Sequence, residues 1–95
     1  MQRKRSDEKA SIARVMGKRV RAARKRSGIP ALEFADRIGV QVAQLYRYES
    51  GENEIGLYRL ARIAKLSDEG IESLVAGLDD LISLPEVSDP LDEAA

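Results

Sequence analysis

Three glycines constrain the fold of this chain more than any other feature of its sequence. Gly28, Gly39 and Gly51 each follow a stretch in which apolar residues recur three or four positions apart. Glycine adopts the left-handed conformation that ends helices at little cost. The first 51 residues are therefore expected to form three helices joined by short links.

The same reasoning extends to five helices in all. Helix 2 is predicted in "PALEFADRIG", helix 3 in "QVAQLYRYESG" and helix 4 in "LYRLARIAKL". Helix 1 is predicted to begin between Asp7 and Ala10 and to end at Ser27. Ser67 is predicted to open helix 5, and Pro85 to end it. Because no stretch has a convincing strand pattern, we predict an all-α fold, a compact five-helix domain with an extended fifth helix.

The predicted fifth helix carries a long apolar stripe. Its members are Ile71, Leu74, Val75, Leu78, Leu81 and Ile82. This stripe exceeds what a small four-helix core needs, so we expect it to form the interface of a homodimer. The alternative, in which it completes the core of the monomer, stays open because amphipathic helices usually face their own core.

The chain contains no cysteine and no histidine. Disulfides and the two commonest kinds of metal ligand are therefore excluded. The side chain that most often performs acid–base catalysis near neutral pH is also missing. We expect no enzymatic activity, no metal and no cofactor.

No run of eighteen apolar residues occurs in the sequence, so no membrane span is expected. The start, "MQRKRSDEKAS", is charged and lacks the apolar core of a signal peptide. The absence of cysteine suits a reducing compartment, and we expect a cytoplasmic protein.

The net charge of zero conceals a gradient along the chain. Residues 1–26 carry eleven Lys or Arg and two acids, whereas residues 67–95 carry nine acids and no base. A basic first third suggests an anionic partner, and the acidic end argues against that partner lying there. The alternative is that both are solvated surfaces.

A bend is predicted between helices 2 and 3. Gly39 can reverse the chain in the left-handed conformation, and the small side chain of Ala35 allows two helix backbones to approach closely. Two short helices joined through a glycine-containing turn are typical of the helix-turn-helix motif. An alanine and a glycine four positions apart are a weak signal alone, because any helical bundle can contain them.

The wider pattern is more specific. Residues 17–66 resemble the phage-repressor/Cro-type (XRE-like) helix-turn-helix family of transcriptional regulators. The resemblance covers "GKRVRAARKRSGI", "LEFADRIGV", "LYRYESGEN" and "LYRLARIAKL", in the family's order and with its gaps. It implies a sequence-specific regulator of double-stranded DNA, most often a repressor that binds a near-palindromic operator as a homodimer with helix 3 in the major groove.

The resemblance also implies which residues meet DNA. The positions that match the family's base-reading residues are Gln41, Val42, Ala43, Gln44 and Arg47. Phosphate contacts are implied at the backbone of Ala31 and Leu32 and at the side chains of Tyr46, Ser50, Asn53 and Tyr58. A flexible arm containing Arg3, Lys4 and Arg5 is expected to follow the DNA, although a disordered basic terminus explains the same residues.

Two further positions are implied to pair within the protein. In the family, an arginine of helix 1 often pairs with the glutamate just before the glycine that follows helix 3. The matching residues are Arg24 and Glu49. Such a pair braces helix 1 against the end of helix 3.

The sequence departs from the family where phosphate is usually bound. Family members begin helix 2 with a Ser or Thr cap followed by Gln, and Pro30 and Ala31 occupy those positions here. Glu52 and Glu54 replace residues that are often basic, and carboxylates next to phosphates are repulsive. We expect these changes to affect the strength of binding and not the fold.

The expected organisation has four parts. These are a basic arm (1–9), a DNA-binding domain (10–66), a C-terminal helix at the dimer interface (67–84) and an acidic disordered tail (85–95). An alternative function is that of an antitoxin, whose acidic end binds a protein partner. The acidic residues in question are Asp79, Asp80, Glu86, Asp89, Asp92 and Glu93. A merely solubilising role explains the same composition.

Overall fold

The computed structural model describes residues 4–85, which form an all-α domain without any strand over that range. The helices are α1 (Arg5–Ser27), α2 (Ala31–Ile38), α3 (Val42–Ser50), α4 (Leu57–Ser67) and α5 (Ile71–Val75), and a short 3-10 helix follows at Leu78–Leu81. The predicted fold class is confirmed. The expected roles of Arg3 and of residues 86–95, including Glu86, Asp89, Asp92 and Glu93, lie outside the described residues.

Glycines end the first three helices in the left-handed conformation, as the sequence predicts. Gly28, Gly39 and Gly51 have φ angles of 72°, 83° and 82°. At the bend, the amide of Gly39 donates to the carbonyl of Asp36, and the next amide donates to the carbonyl of Ala35. These bonds use carbonyl groups that the end of α2 would otherwise leave unpaired.

All five helices contribute to one core. Its largest fully buried side chains are Val20 of α1, Phe34 and Ile38 of α2, Leu45 of α3, Ile63 of α4 and Leu74 of α5. Ala35 is buried among them, at the place where the sequence required a small side chain. The core therefore fixes the orientation of α3 relative to the other four helices.

The tightest helix contact joins α1 to the end of α3. A Cβ added at Gly17 would clash with the carbonyl oxygen of Tyr48 and lie 2.5 Å from that of Glu49. One at Gly51 would lie 2.8 Å from the Cα of Arg14. Two glycines, one on each element, therefore let these backbones approach more closely than any side chain permits.

Helix α1 is longer at its start than we predicted. It begins at Arg5, so residues 5–9 are helical and do not form the flexible arm that we placed at 1–9. Lys4 precedes the helix, and its carbonyl accepts hydrogen bonds from the amides of Asp7 and Glu8. Those two acids lie in the first turn, where they favour helix formation by interacting with the helix dipole.

The prediction of one extended fifth helix over residues 67–84 is wrong. Ser67 ends α4, and its hydroxyl donates to the carbonyl of Ile63. Asp68 then takes a left-handed conformation with φ 55°. Helix α5 has only five residues, because Ala76 leaves the helical conformation at ψ 130°, and Gly77 then takes φ 73° before the 3-10 helix. The helical spacing of apolar residues continues past the end of α5, so the periodicity of the sequence alone did not reveal where the helix ends.

The apolar stripe that we assigned to a dimer interface is divided between the core and the surface. Leu74 is only 2% exposed and belongs to the core of its own chain, so it is not available to a partner. Ile71 and Leu78 pack partly against the same core, and Val75 and Ile82 remain exposed. Leu81 is half-buried.

The C-terminal segment returns along α1. The guanidinium of Arg19 donates to the carbonyl of Leu74 at 2.9 Å. Farther along, the amide of Ser83 donates to the carboxylate of Glu8 at 2.6 Å, and Glu8 is buried by this contact. These bonds attach the end of the domain to the flank of α1 that faces away from α3.

Within residues 4–85, no helix is long and apolar enough to cross a membrane.

Gly17→Ala tests the close contact of α1 with α3. We expect the free energy of unfolding to fall by about 1–3 kcal/mol, because the added methyl group meets backbone atoms that cannot turn aside. Urea unfolding measures this change. Gly56→Ala is the matched control, since a Cβ there has open space and φ is −69°. Equal stability of the Gly17 variant and the wild type would mean that the two helices are farther apart.

Candidate nucleic-acid interface

Helix α3 buries one side and presents the other to solvent. Leu45 and Tyr48 lie in the core, whereas Ala43 and Arg47 are exposed on the outer side. Gln41, immediately before the helix, is also exposed, and its side chain does not cap the helix. Its amide is thus available to another hydrogen-bonding partner.

Two of the expected base-reading residues are less accessible than the others. Val42 is half-buried and packs against the core, because the first turn of α3 rests on the rest of the domain. Gln44 is also half-buried. Among the expected base-reading residues, the polar side chains that project most freely are therefore those of Gln41 and Arg47.

Arg47 is held loosely by the loop that follows α3. Its side chain is 51% exposed, and its Nε lies 4.0 Å from a carboxylate oxygen of Glu52, which is itself 66% exposed. An ion pair this long between exposed groups contributes little to stability. The guanidinium therefore remains free to exchange this carboxylate for another acceptor.

The expected phosphate-binding residues at the end of α3 are engaged in the turn itself. The hydroxyl of Ser50 donates to the carbonyl of Arg47 and accepts from the amide of Glu52. The amide of Asn53 donates to the same carbonyl at 3.2 Å. These bonds shape the loop, and they leave the Asn53 side chain half-buried beside the exposed surface.

The start of α2 offers backbone groups without a side-chain cap. Pro30 precedes the helix and makes no side-chain hydrogen bond there. Ala31 packs partly against the core, and Leu32 projects into solvent. The first amides of α2 thus keep their donor capacity, as the resemblance implied, but no hydroxyl or amide side chain assists them.

Tyr46 projects from α3 toward α1. It lines a shallow depression together with Arg21, Arg24, Glu49 and Ser50. Tyr46 and Ser50 were expected to meet phosphate, but Arg21 was not singled out. Its position became apparent only from the packing of α1 beside α3.

Tyr58 stands exposed at the start of α4, between two arginines. The guanidinium carbons of Arg59 and Arg62 lie 5.2 Å and 5.7 Å from the centre of its ring. Arg62 also donates to the Tyr58 hydroxyl at 3.1 Å. Both arginines were missed in the sequence, although Arg62 follows Tyr58 by four residues, a spacing that brings helical side chains together.

Both arginines also reach the end of α2. Arg59 donates to the carbonyl of Gly39, and Arg62 donates twice to the carbonyl of Arg37. A cation at a helix C-terminus interacts favourably with the helix dipole. These side chains therefore connect α4 to the turn between α2 and α3, and they also surround Tyr58.

Arg24 and Glu49 form a two-pronged ion pair. The Nε and Nη2 of Arg24 donate to the two carboxylate oxygens of Glu49 at 2.7 Å and 3.0 Å. The side chains are 14% and 6% exposed, respectively. The hydrogen bond that Arg24 donates to Glu49 raises the pKa of Arg24 above its ordinary value, against the opposing effect of burial. The pair ties the last turn of α1 to the last turn of α3.

The expected arm lies at a distance from this surface. Lys4 and Arg5 are exposed at the start of α1. Arg5 precedes Arg14, the residue of α1 against Gly51, by nine positions, or about 13.5 Å of helix. The structure therefore does not bring Lys4 or Arg5 together with the exposed residues of α3.

Comparison with known proteins supplies one match. A family model described as helix-turn-helix matches residues 20–69, which is more than half of the chain and includes α2, α3 and α4 in full. No curated protein was found to match the chain.

A double-mutant cycle tests how strongly the buried ion pair holds α3. Removing either partner by Arg24→Ala or Glu49→Ala should cost about 3–5 kcal/mol, because the remaining charge is left buried and unpaired. The double variant should lose less free energy of unfolding than the sum of the losses in the two single variants. Arg37 and Glu33 form an exposed control pair, for which we expect a coupling energy of about 0.3–0.5 kcal/mol. Equal coupling in the two cycles would show that the buried pair does not brace the helix.

Proposed function

Because this chain belongs to the Cro/repressor-type helix-turn-helix family of DNA-binding transcription regulators, we propose that it is a repressor which inserts α3 into the major groove of a specific operator. Occupation of an operator that overlaps a promoter would block transcription there. The proposal names the reading helix, the groove and the direction of regulation, all of which go beyond family membership.

The observation that carries the proposal is the division of α3 into a buried side and an exposed polar side. Leu45 and Tyr48 fix the helix in the core, and Arg47 faces outward on the opposite side. The Arg24–Glu49 pair secures the last turn. A helix held in this way presents its exposed side chains in a fixed arrangement, which base reading requires.

The residues on this side of α3 have the chemistry of base recognition. The amides of Gln41 and Gln44 can donate to and accept from adenine, and Arg47 can donate two hydrogen bonds to guanine. The methyl group of Ala43 suits contact with the methyl group of thymine. We assign Val42 a smaller part, because it packs partly against the core.

Phosphate contacts are proposed on both sides of the reading helix. The backbone amides of Ala31 and Leu32 supply donors at the start of α2, where the helix dipole also favours an anion. Tyr46 and Tyr58 have exposed rings from which a hydroxyl can reach phosphate. Ser50, which ends α3, and Asn53, in the loop that follows, are proposed to make further phosphate contacts.

We also propose that the protein binds as a homodimer on a near-palindromic site. Two-fold dimers of such domains place their reading helices one turn of DNA apart, about 34–36 Å. Val75 and Ile82 are exposed apolar residues near the end of the domain and are proposed to contribute to the interface. Leu74 is not included, because it lies in the core.

Selection of bound duplexes from a random pool tests the proposal as a whole. We expect a recovered motif with two inverted half-sites, whose centres are about 10 base pairs apart. Light scattering of the free protein measures whether the dimer exists before binding. A single unrepeated half-site would argue against the dimer, and a pool without any enriched sequence would argue against specific DNA recognition.

Arg47→Ala tests the base-reading role of α3. Specific binding should weaken by about 1–3 kcal/mol, and the preference at one base position should relax, because a bidentate contact to guanine is lost. Titration against the selected operator and against single-base variants measures both effects. Arg37→Ala is the control, since Arg37 is similarly exposed and lies next to a glutamate, but near the end of α2. If Arg47→Ala weakens all sequences equally, the residue binds phosphate instead.

A further inference from the structure

Helix α1 carries a straight row of cations on its surface. Its members, which we call the α1 stripe, are Arg14, Lys18, Arg21 and Lys25, and all four are exposed. Their spacings of four, three and four residues place them on one face, with neighbours about 5–6 Å apart. The stripe extends from Arg14 to Lys25, eleven steps of the helix or about 16 Å.

The packing of α1 places this stripe beside the exposed side of α3. Arg14 lies against Gly51, the residue that ends α3. Arg21 lines the same depression as Tyr46 and Ser50 of α3. Gly17, on the adjoining face of α1, is pressed against the last turn of α3. The stripe and the outer surface of α3 therefore form one continuous surface.

Within residues 4–85, the α1 stripe has no carboxylate partner, unlike four other arginines of the domain. Arg24, Arg26, Arg37 and Arg47 each lie within 4.0 Å of a glutamate. In the part of the chain that the structure describes, no carboxylate comes that close to any member of the stripe. Four exposed positive charges in a row attract an anion that is itself extended and repeating.

Two of the acidic groups that contact other elements of the domain lie near the opposite flank of α1. Glu69 pairs with Arg26, and the buried carboxylate of Glu8 accepts a hydrogen bond from the amide of Ser83. Both contacts involve the flank of α1 that faces the C-terminal segment. The fold thus separates charges that are adjacent in the sequence and leaves one side of α1 positive.

We propose that the α1 stripe binds the sugar–phosphate backbone of DNA next to the groove that α3 enters. This inference rests on the proposed function, because it requires α3 to be the reading helix. The stripe contacts phosphates without reading bases, so it strengthens binding to every sequence equally. Its length matches a run of several phosphates along one strand, which are spaced 3.4 Å apart along the axis.

The rest of the surface explains why such a stripe is needed. The loop after α3 presents the exposed carboxylates of Glu52 and Glu54, which repel phosphate. The start of α2 has no side-chain cap and supplies backbone donors alone. The lysine and arginine side chains of α1 compensate for both deficits.

The salt dependence of binding tests the stripe. The variant Lys18→Gln/Arg21→Gln removes two of its charges, and the control Lys9→Gln/Lys65→Gln removes two exposed charges from other surfaces. Each phosphate that a Lys or Arg neutralises contributes about 0.9 to the steepness of the slope of log affinity against log salt. Two lost contacts make the slope shallower by about 1.8. Between 50 and 200 mM salt, the factor by which affinity falls should therefore be about 12 times smaller for the stripe variant than for the wild type.

Titrations use the selected operator and a scrambled duplex of the same length. The inference is supported if the stripe variant binds both duplexes more weakly by the same factor and the control keeps the wild-type slope. It is overturned if the stripe variant keeps the wild-type slope, and an acidic protein partner then becomes the better candidate. Thermal melting checks that both variants remain folded. A wild-type protein that binds neither duplex contradicts the proposed function itself, which distinguishes the two failures.

Discussion

The contact between α1 and the last turn of α3 is the constraint on which the rest of the structure depends. Gly17 and Gly51 allow the two backbones to approach closely, and the largely buried Arg24–Glu49 ion pair joins the same two helices. A helix of nine residues is too short to be stable alone in water. The orientation of α3 is therefore imposed by α1 and the core, and its outer side chains are free to serve another purpose.

The same contact determines which charged side chains lie on each flank of α1. By turning one flank of α1 toward α3 and the opposite flank toward the C-terminal segment, the fold separates the α1 stripe from the acids that Arg26 and Ser83 engage. Electrostatic attraction to an anion depends on such local fields and not on the net charge, which is zero. A neutral chain thus presents one surface suited to DNA and another that is not.

The sequence predicted the features that depend on neighbouring residues. Gly39 ends α2 because glycine alone adopts the left-handed conformation at low cost, and this preference is visible without any tertiary information. The five-helix order follows from apolar spacing in the same way. The fifth helix was predicted to be too long, because the apolar spacing continues across Gly77 although the backbone turns there. Among the candidate site residues, the exposure of Arg47 was foreseen and the partial burial of Val42 was not.

By itself, the sequence determined where the helices end, which faces are apolar and which family the motif resembles, because turn conformation and periodicity act over a few residues. Only the tertiary structure decided that Leu74 belongs to the core and that Gly17 lies against the last turn of α3. It also decided that Arg21 lies beside Tyr46. These facts depend on the angle at which α1 crosses α3. That angle results from the packing of many distant side chains, and no local spacing specifies it.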